Sequence, residues 1–227
     1  MNALLTALSA AGPLACGWGV HGLLMGRRLT AARRDPLSGL WTRAAFERAA
    51  LRILGSQMHT AVILVDLDGF KALNDAAGHA AGDAAIRATA ASLTDAVSSY
   101  PGAVVGRLGG DEFIAAIPLP GTHTLPWLLD GLHDAITSPF HFEGTDLTVG
   151  VSIGASLSSD LLPAAPQGGP VALSLLMRLA DEAMYTAKRE GGGWCDPVAS
   201  VPGCTTTGGR RTGRSGTHTP HREEEAA

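Results

Sequence analysis

Apolar and polar positions change period several times along the 227-residue chain. Phe46, Ala50, Ile53 and Leu54 recur at helical spacing and predict an amphipathic helix over residues 43–54. Ala61-Val-Ile-Leu-Val65 is a short unbroken apolar run with β-branched members, the pattern of a central strand covered on both faces. Ile86, Ala90, Leu93 and Val97 step by four, three and four and predict a second helix. Residues 104–108 and 113–117 flank a Gly-Gly-Asp-Glu turn as two hairpin strands. A further strand is predicted over 147–155, after a turn at Glu143-Gly144. Leu175, Leu176, Leu179, Ala183 and Ala187 stripe a last helix, which stops before Gly191-Gly-Gly193, and the Pro- and Gly-rich stretch 162–170 reads as an inserted loop. This mixture predicts an α/β (α+β) fold, one mostly antiparallel central sheet flanked by helices.

Composition divides the chain into three zones: 1–34, 35–193 and 194–227. Residues 3–26 contain no charge apart from His21, a run long enough to cross a bilayer as one helix. Its glycines and Pro13 suit a transmembrane helix better than a soluble one. Arg27, Arg28, Arg33 and Arg34 follow at once and would lie on the cytoplasmic side. A signal peptide and a soluble helix packed on a partner are the competing readings, the first weakened by the missing basic stretch ahead of the apolar run. From about Pro197 the chain is Thr, Gly, Ser, Arg and Pro, closes with Glu223-Glu-Glu225, and is expected to be disordered. Hydrophobic residues make up 45% of the chain, enough for a proper core in the middle zone, and the net charge of −4 argues against a nucleic-acid binder. Cys16, Cys195 and Cys204 show no metal or redox spacing, so a disulfide framework is not expected and a reducing setting fits the folded part.

Three stretches carry candidate chemistry. In Arg107-Leu-Gly-Gly-Asp-Glu-Phe113 two glycines let the backbone turn and approach another molecule, and Asp111 and Glu112 add hard oxygen ligands suited to Mg²⁺ and substrate phosphates. A tight hairpin with solvated charges is the alternative. In Val65-Asp-Leu-Asp-Gly-Phe-Lys71 a strand ends and a helix begins. Asp66 and Asp68 would share a side if the strand continued. The preferred reading makes Asp68 the cap of the next helix and reserves the metal role for Asp66. The helix beginning near Gly69 offers its free N–H groups to a phosphate, with Lys71 beside them and Asn74 one turn along. In the block from Asn74 to Asp83, Gly78 reads as the end of one short helix and Gly82-Asp83 as the opening of another. Asn74, His79 and Asp83 are polar groups able to read a base edge, and a carboxylate accepting from guanine N1–H and N2–H₂ beside an Asn is a sensible guanine reader.

These motifs together resemble the GGDEF family of diguanylate cyclases. Asp35-Pro-Leu-Ser-Gly-Leu40 is similar to its opening motif, residues 66–83 to its second signature and 107–113 to the signature loop. Ser152-Ile-Gly-Ala155 and residues 180–188 are similar to its later strand and final helix, so the resemblance covers 35–193. It implies a nucleotidyl-cyclase-like domain that joins two GTP into cyclic di-GMP with release of two pyrophosphates, one GTP on each half of a homodimer, with no nucleic-acid partner. It implies Mg²⁺ (or Mn²⁺) on Asp66 and Asp111 with the Leu67 carbonyl assisting, and guanine read by Asn74 and Asp83 with His79 close by. Phosphates would be held by the backbone of Gly69, Phe70 and Lys71 with the Lys71 and Lys188 side chains, and Glu112 would sit by the attacking 3′-hydroxyl. Asp111 is the residue expected to couple metal binding to deprotonation. With the apolar N-terminus, the expected location is a bacterial inner membrane with the catalytic domain in the cytoplasm; cytoplasmic is the alternative.

Four departures stand out. Thr42 precedes Arg43 where the family has an Asn-Arg pair. Gly192 follows Gly191 where a phosphate-contacting arginine is usual. Tyr100-Pro-Gly-Ala103 fills the place of the Arg-x-x-Asp product-inhibition site, and no sensor domain is recognisable. A GTP- or cyclic-di-GMP-binding module with weak or no turnover is the second reading, favoured by Gly192 and opposed by the intact loop. A cyclase of another base is a third, opposed by Asp83.

Overall fold

The computed structural model describes residues 33–56, 59–161 and 168–195. The apolar segment expected near the N-terminus, the tail from residue 197 and most of the loop 162–170 lie outside them. Among the described residues no helix is long and apolar enough to cross a membrane.

The elements run β1 (Trp41–Thr42), α1 (Arg43–Ser56), β2 (Thr60–Asp68), α2 (Phe70–Ala77), α3 (His79–Val97), β3 (Val104–Gly109), β4 (Glu112–Pro118), α4 (Leu125–Thr137), β5 (Phe140–Phe142), β6 (Thr145–Leu147), β7 (Gly150–Leu157), α5 (Gly169–Arg189) and β8 (Gly193–Cys195). Six strands form one sheet in the order β1-β3-β4-β2-β7-β8, and β5–β6 is a separate hairpin. The inner pairs β3–β4, β4–β2 and β2–β7 are antiparallel, while β1–β3 and β7–β8 at the edges are parallel. The sheet is thus mostly antiparallel and flanked by helices.

Because successive strand residues face opposite ways, β2 supplies two cores at once. Ala61, Ile63, Val65 and Leu67 join Ile86, Ala90, Leu93 and Val97 of α3 and Leu125, Leu129, Leu132 and Ile136 of α4. Val62 and Leu64 join Phe46, Ala50, Ile53 and Leu54 of α1 and Ala172, Leu173, Leu176, Ala180 and Met184 of α5. Phe46 is fully enclosed, and deleting such a ring costs about 3–5 kcal/mol.

Several boundaries differ from expectation. The strand β2 runs on through Asp68, which pairs with Gly150, so Asp68 is not a helix cap. The cap of α2 is Gly69, in a left-handed conformation, with no side-chain hydrogen bond. Helix α3 starts at His79, which puts Gly82-Asp83 inside its first turns rather than at its opening. Leu147 belongs to the β5–β6 hairpin turned at Glu143-Gly144, and β7 begins only at Gly150. Helix α4 and strand β8 were not foreseen, although Leu125, Leu128, Leu129, Leu132 and Ile136 carry a helical stripe.

Candidate active site

Strand β2 carries Asp66 and Asp68 to its C-terminal end on the face covered by α1 and α5, in step with Val62 and Leu64. Register then sets their neighbours. Asp66 lies opposite Glu112 of β4 on one side and Ser152 of β7 on the other. Two carboxylates placed directly opposite across a strand pair repel, so this corner of the sheet has a built-in excess of negative charge.

The turn before Glu112 is set by Gly109 and Gly110, whose φ angles of +145° and +55° suit glycine and few other residues. Its position is fixed twice by its own backbone. Leu67 donates its N–H to the Asp111 carbonyl at 3.3 Å, and Arg107 donates from Nε and Nη2 to the Gly110 carbonyl at 3.0 and 2.7 Å. Arg107 also donates from Nη1 to Asp35 at 2.8 Å. The Asp35 carboxylate in turn accepts from the Ser38 N–H and hydroxyl. The opening motif is therefore strapped to the signature turn.

Helix α5 brings Lys188 against the Asp66 carboxylate, with Oδ1 of Asp68 at 3.9 Å. Ser152 donates its hydroxyl to both oxygens of Asp68 at 2.9 Å. Burial holds the Asp66 carboxyl above its ordinary pKa; Lys188 opposes this, and the charges of Asp111 and Asp68 add to it. Glu112 is likewise raised, by partial desolvation and then by the charges of Asp66, Asp111 and Asp181, with Arg43 opposing. Lys188 loses solvation, but its bond to Asp66 and the surrounding carboxylates more than offset this and hold its ammonium in the charged form. The two partners respond differently because the Asp66 side chain is 12% exposed and that of Lys188 47%.

Among the described residues no three side chains of His, Cys, Asp or Glu close around a point as a complete metal cage. What the corner offers is hard oxygen donors in electrostatic excess, balanced in the structure by one ammonium. That donor set fits Mg²⁺ or Mn²⁺, ions usually held by one or two carboxylates with substrate phosphates completing the shell.

The sequence candidates fall into two groups. Asp66, Leu67, Asp111, Glu112 and Lys188 meet at this corner. Gly69, Phe70, Lys71 and Asn74 follow on α2, whose start is anchored by Phe70 packing on the core. The amide Nδ2 of Asn74 donates to the Phe70 carbonyl at 3.1 Å, and Asp83 lies on the adjoining α3, 3.8 Å from Arg87. Lys71 and His79 are exposed, and among the described residues no hydrogen bond or ion pair ties them to the carboxylates. Ser152 and Arg107 were quoted within motifs without a role. Their partners, Asp68 and Asp35, lie 84 and 72 residues away, and no local signal names such a pairing.

The family model for the diguanylate cyclase GGDEF domain matches residues 32–193, and the chain belongs to the GGDEF family. It is 44% identical over 174 residues to an uncharacterized 19.3 kDa protein in the repSA 5′ region of Streptomyces ambofaciens, covering 76% of this chain and 87% of that one. It is 36% identical over 169 residues to the probable diguanylate cyclase DgcE of Escherichia coli, covering 71% of this chain but only 14% of that protein's length. Among solved structures, a sensory box/GGDEF family protein from Caulobacter crescentus superposes with a TM-score of 0.59 at 37% identity, over 70% of this chain and all of that one. The GGDEF domain of PA1120 from Pseudomonas aeruginosa gives a TM-score of 0.63 at 30% identity, over 74% of this chain and 94% of that one.

Proposed function

We propose that the chain is a diguanylate cyclase, joining two GTP into cyclic di-GMP with release of two pyrophosphates, one GTP on each of two copies of the chain. The observation that carries this reading is the Asp66–Glu112 pair in direct register with the Lys188 ammonium on Asp66. In each half-reaction the 3′-hydroxyl of one GTP attacks the α-phosphorus of the other. The bond from that phosphorus to the bridging β-phosphate oxygen breaks, and pyrophosphate leaves. Glu112, directly opposite Asp66 across the β2–β4 pair, is assigned to take the hydroxyl proton as general base.

Asp66 and Asp111, with the Leu67 carbonyl, are the residues assigned to a divalent cation, which when bound supplies Lewis-acid polarisation of the α-phosphate. The backbone N–H groups of Gly69, Phe70 and Lys71, with the Lys71 and Lys188 side chains, are assigned to the β- and γ-phosphates. Asp83 accepts from guanine N1–H and N2–H₂, and Asn74 donates to the same base with His79 nearby. The same reading makes residues 1–34 an anchor in the bacterial inner membrane, 35–193 the cytoplasmic catalytic domain and 194–227 a tail.

The test is the full chain with GTP and Mg²⁺ (or Mn²⁺), followed by mass spectrometry. Cyclic di-GMP is the expected product, and Glu112→Gln should lower its rate by about 10²–10⁴-fold. Asp111→Ala should abolish it with the fold intact. GTP binding without product at high protein concentration would overturn the enzyme reading and select a nucleotide-binding module. One observation favours that second reading: position 192, where the family carries arginine, has no side chain.

A further inference from the structure

Gly82 is a buried residue in the first turns of α3, and it faces Asn74 of α2. A Cβ built on it would fall 2.1 Å from Oδ1 of Asn74, 2.9 Å from Cγ and 3.1 Å from Nδ2. The first distance is far inside van der Waals contact, so any side chain at 82 must expel the Asn74 amide from its place. The amide is also held from the other side. Its Nδ2 donates to the Phe70 carbonyl at 3.1 Å. That assignment follows from chemistry, because the amide oxygen cannot donate to a carbonyl. Phe70 is itself packed on the core, so the acceptor is a fixed point. The amide is thus gripped at both ends, its nitrogen by Phe70 and its oxygen against the bare backbone of Gly82. A second Nδ2 proton remains, on the amide beside the helix that carries Asp83.

We infer that Gly82 is a positioning residue for guanine recognition: by lacking a side chain it seats the Asn74 amide in one orientation, with an N–H presented to the base and the Asp83 carboxylate one residue further along the chain. The inference rests on the assignment of Asn74 and Asp83 to guanine. It differs from a purely structural role, in which Gly82 merely lets α2 and α3 approach. In that case a side chain at 82 disturbs packing whatever occupies position 74.

The test uses the full chain and 3′-deoxy-GTP, which lacks the attacking hydroxyl and reports binding without turnover. Gly82→Ala should weaken binding about tenfold, the loss of roughly one hydrogen bond. Asn74→Ala should weaken it to a similar degree. In the Asn74→Ala background the clashing atoms are gone, so adding Gly82→Ala should cost no further affinity and should raise the melting temperature, since alanine is the better helix former. Wild-type affinity in Gly82→Ala overturns the inference, as do additive losses in the double variant. If the single variant fails to fold, the double variant decides: a folded double supports the coupling, and an unfolded one shows a packing role and overturns it. Failure of the wild-type chain to bind 3′-deoxy-GTP removes the nucleotide reading itself, a different result from any of these.

Discussion

Gly192 has a φ of +103°, and a Cβ on it would lie 3.0 Å from Oδ2 of Asp68 and 3.4 Å from the Val151 carbonyl. The sequence shows that an arginine is missing here, but not that the backbone has taken a shape hostile to one. Gly192→Arg should therefore destabilise the chain by about 1–3 kcal/mol, the cost of a side chain in a sparsely populated φ region, rather than simply restore a phosphate contact. Urea denaturation checks this, and unchanged stability would show that the loop adapts. Arg107 gives a second case. Burial opposes ionisation of Asp35, but hydrogen bonds from the Ser38 hydroxyl and Arg107, and the guanidinium charge, outweigh it and hold its pKa below the ordinary 3.8. A depressed folded-state pKa contributes stability that is present above pH 3.8 and is lost as pH falls through the folded value. Arg107→Ala should raise the Asp35 pKa in an NMR titration and shrink the difference in stability between pH 7 and pH 3. An unmoved Asp35 titration would contradict it. Asp66, Asp111 and Glu112 were singled out from residue type and spacing, and Lys188 through the family resemblance alone; the structure brings the four to one corner. Ser152 and Arg107 were not, because their partners are set by register and long-range packing.

Helix α5 reaches the site only because β7 lets it lie close. At Gly154 an added Cβ would meet the Ala180 carbonyl and the Met184 N–H, both at 2.1 Å, and helix backbone cannot swing aside as a side chain can. Gly154→Val should force α5 off the sheet, costing about 1–3 kcal/mol or more by overpacking. Because Lys188 rides on the last turn of α5, the same change should lower the proposed cyclase activity even where the protein stays folded. Denaturation and product formation, measured together, test both parts; a variant of normal stability and activity would show that α5 does not depend on this contact. The stripe of α5 and the apolar run of β2 were readable because burial on one or both faces writes itself into the pattern. Strand β8 was hidden by its three-residue length and its glycine, and Asp68 was misread because a favoured capping residue stood where a strand simply continued.

The folded chain holds opposing electrostatic contributions, Asp35 stabilised as an anion and Asp66 penalised as one. Since the folded-state pKa of Asp66 is raised, the folded chain binds more protons than the unfolded chain between pH 3.8 and the folded value. Stability falls as pH rises through that window, and the penalty persists at neutral pH. Asp66→Asn keeps the shape, removes the buried charge and leaves Lys188, whose side chain is 47% exposed, to be solvated by water. The variant should melt at or above the wild-type temperature at pH 7 without divalent ions, while losing the proposed cyclase activity. Adding Mn²⁺ with 3′-deoxy-GTP should reverse the order. Ligand at a hundred times its Kd adds roughly 2.7 kcal/mol to a chain that binds it, and the variant should gain far less. A variant that melts below wild type without ligand would mean that the Asp66–Lys188 pair is a net stabiliser, and an equal gain with ligand would remove Asp66 from the metal site.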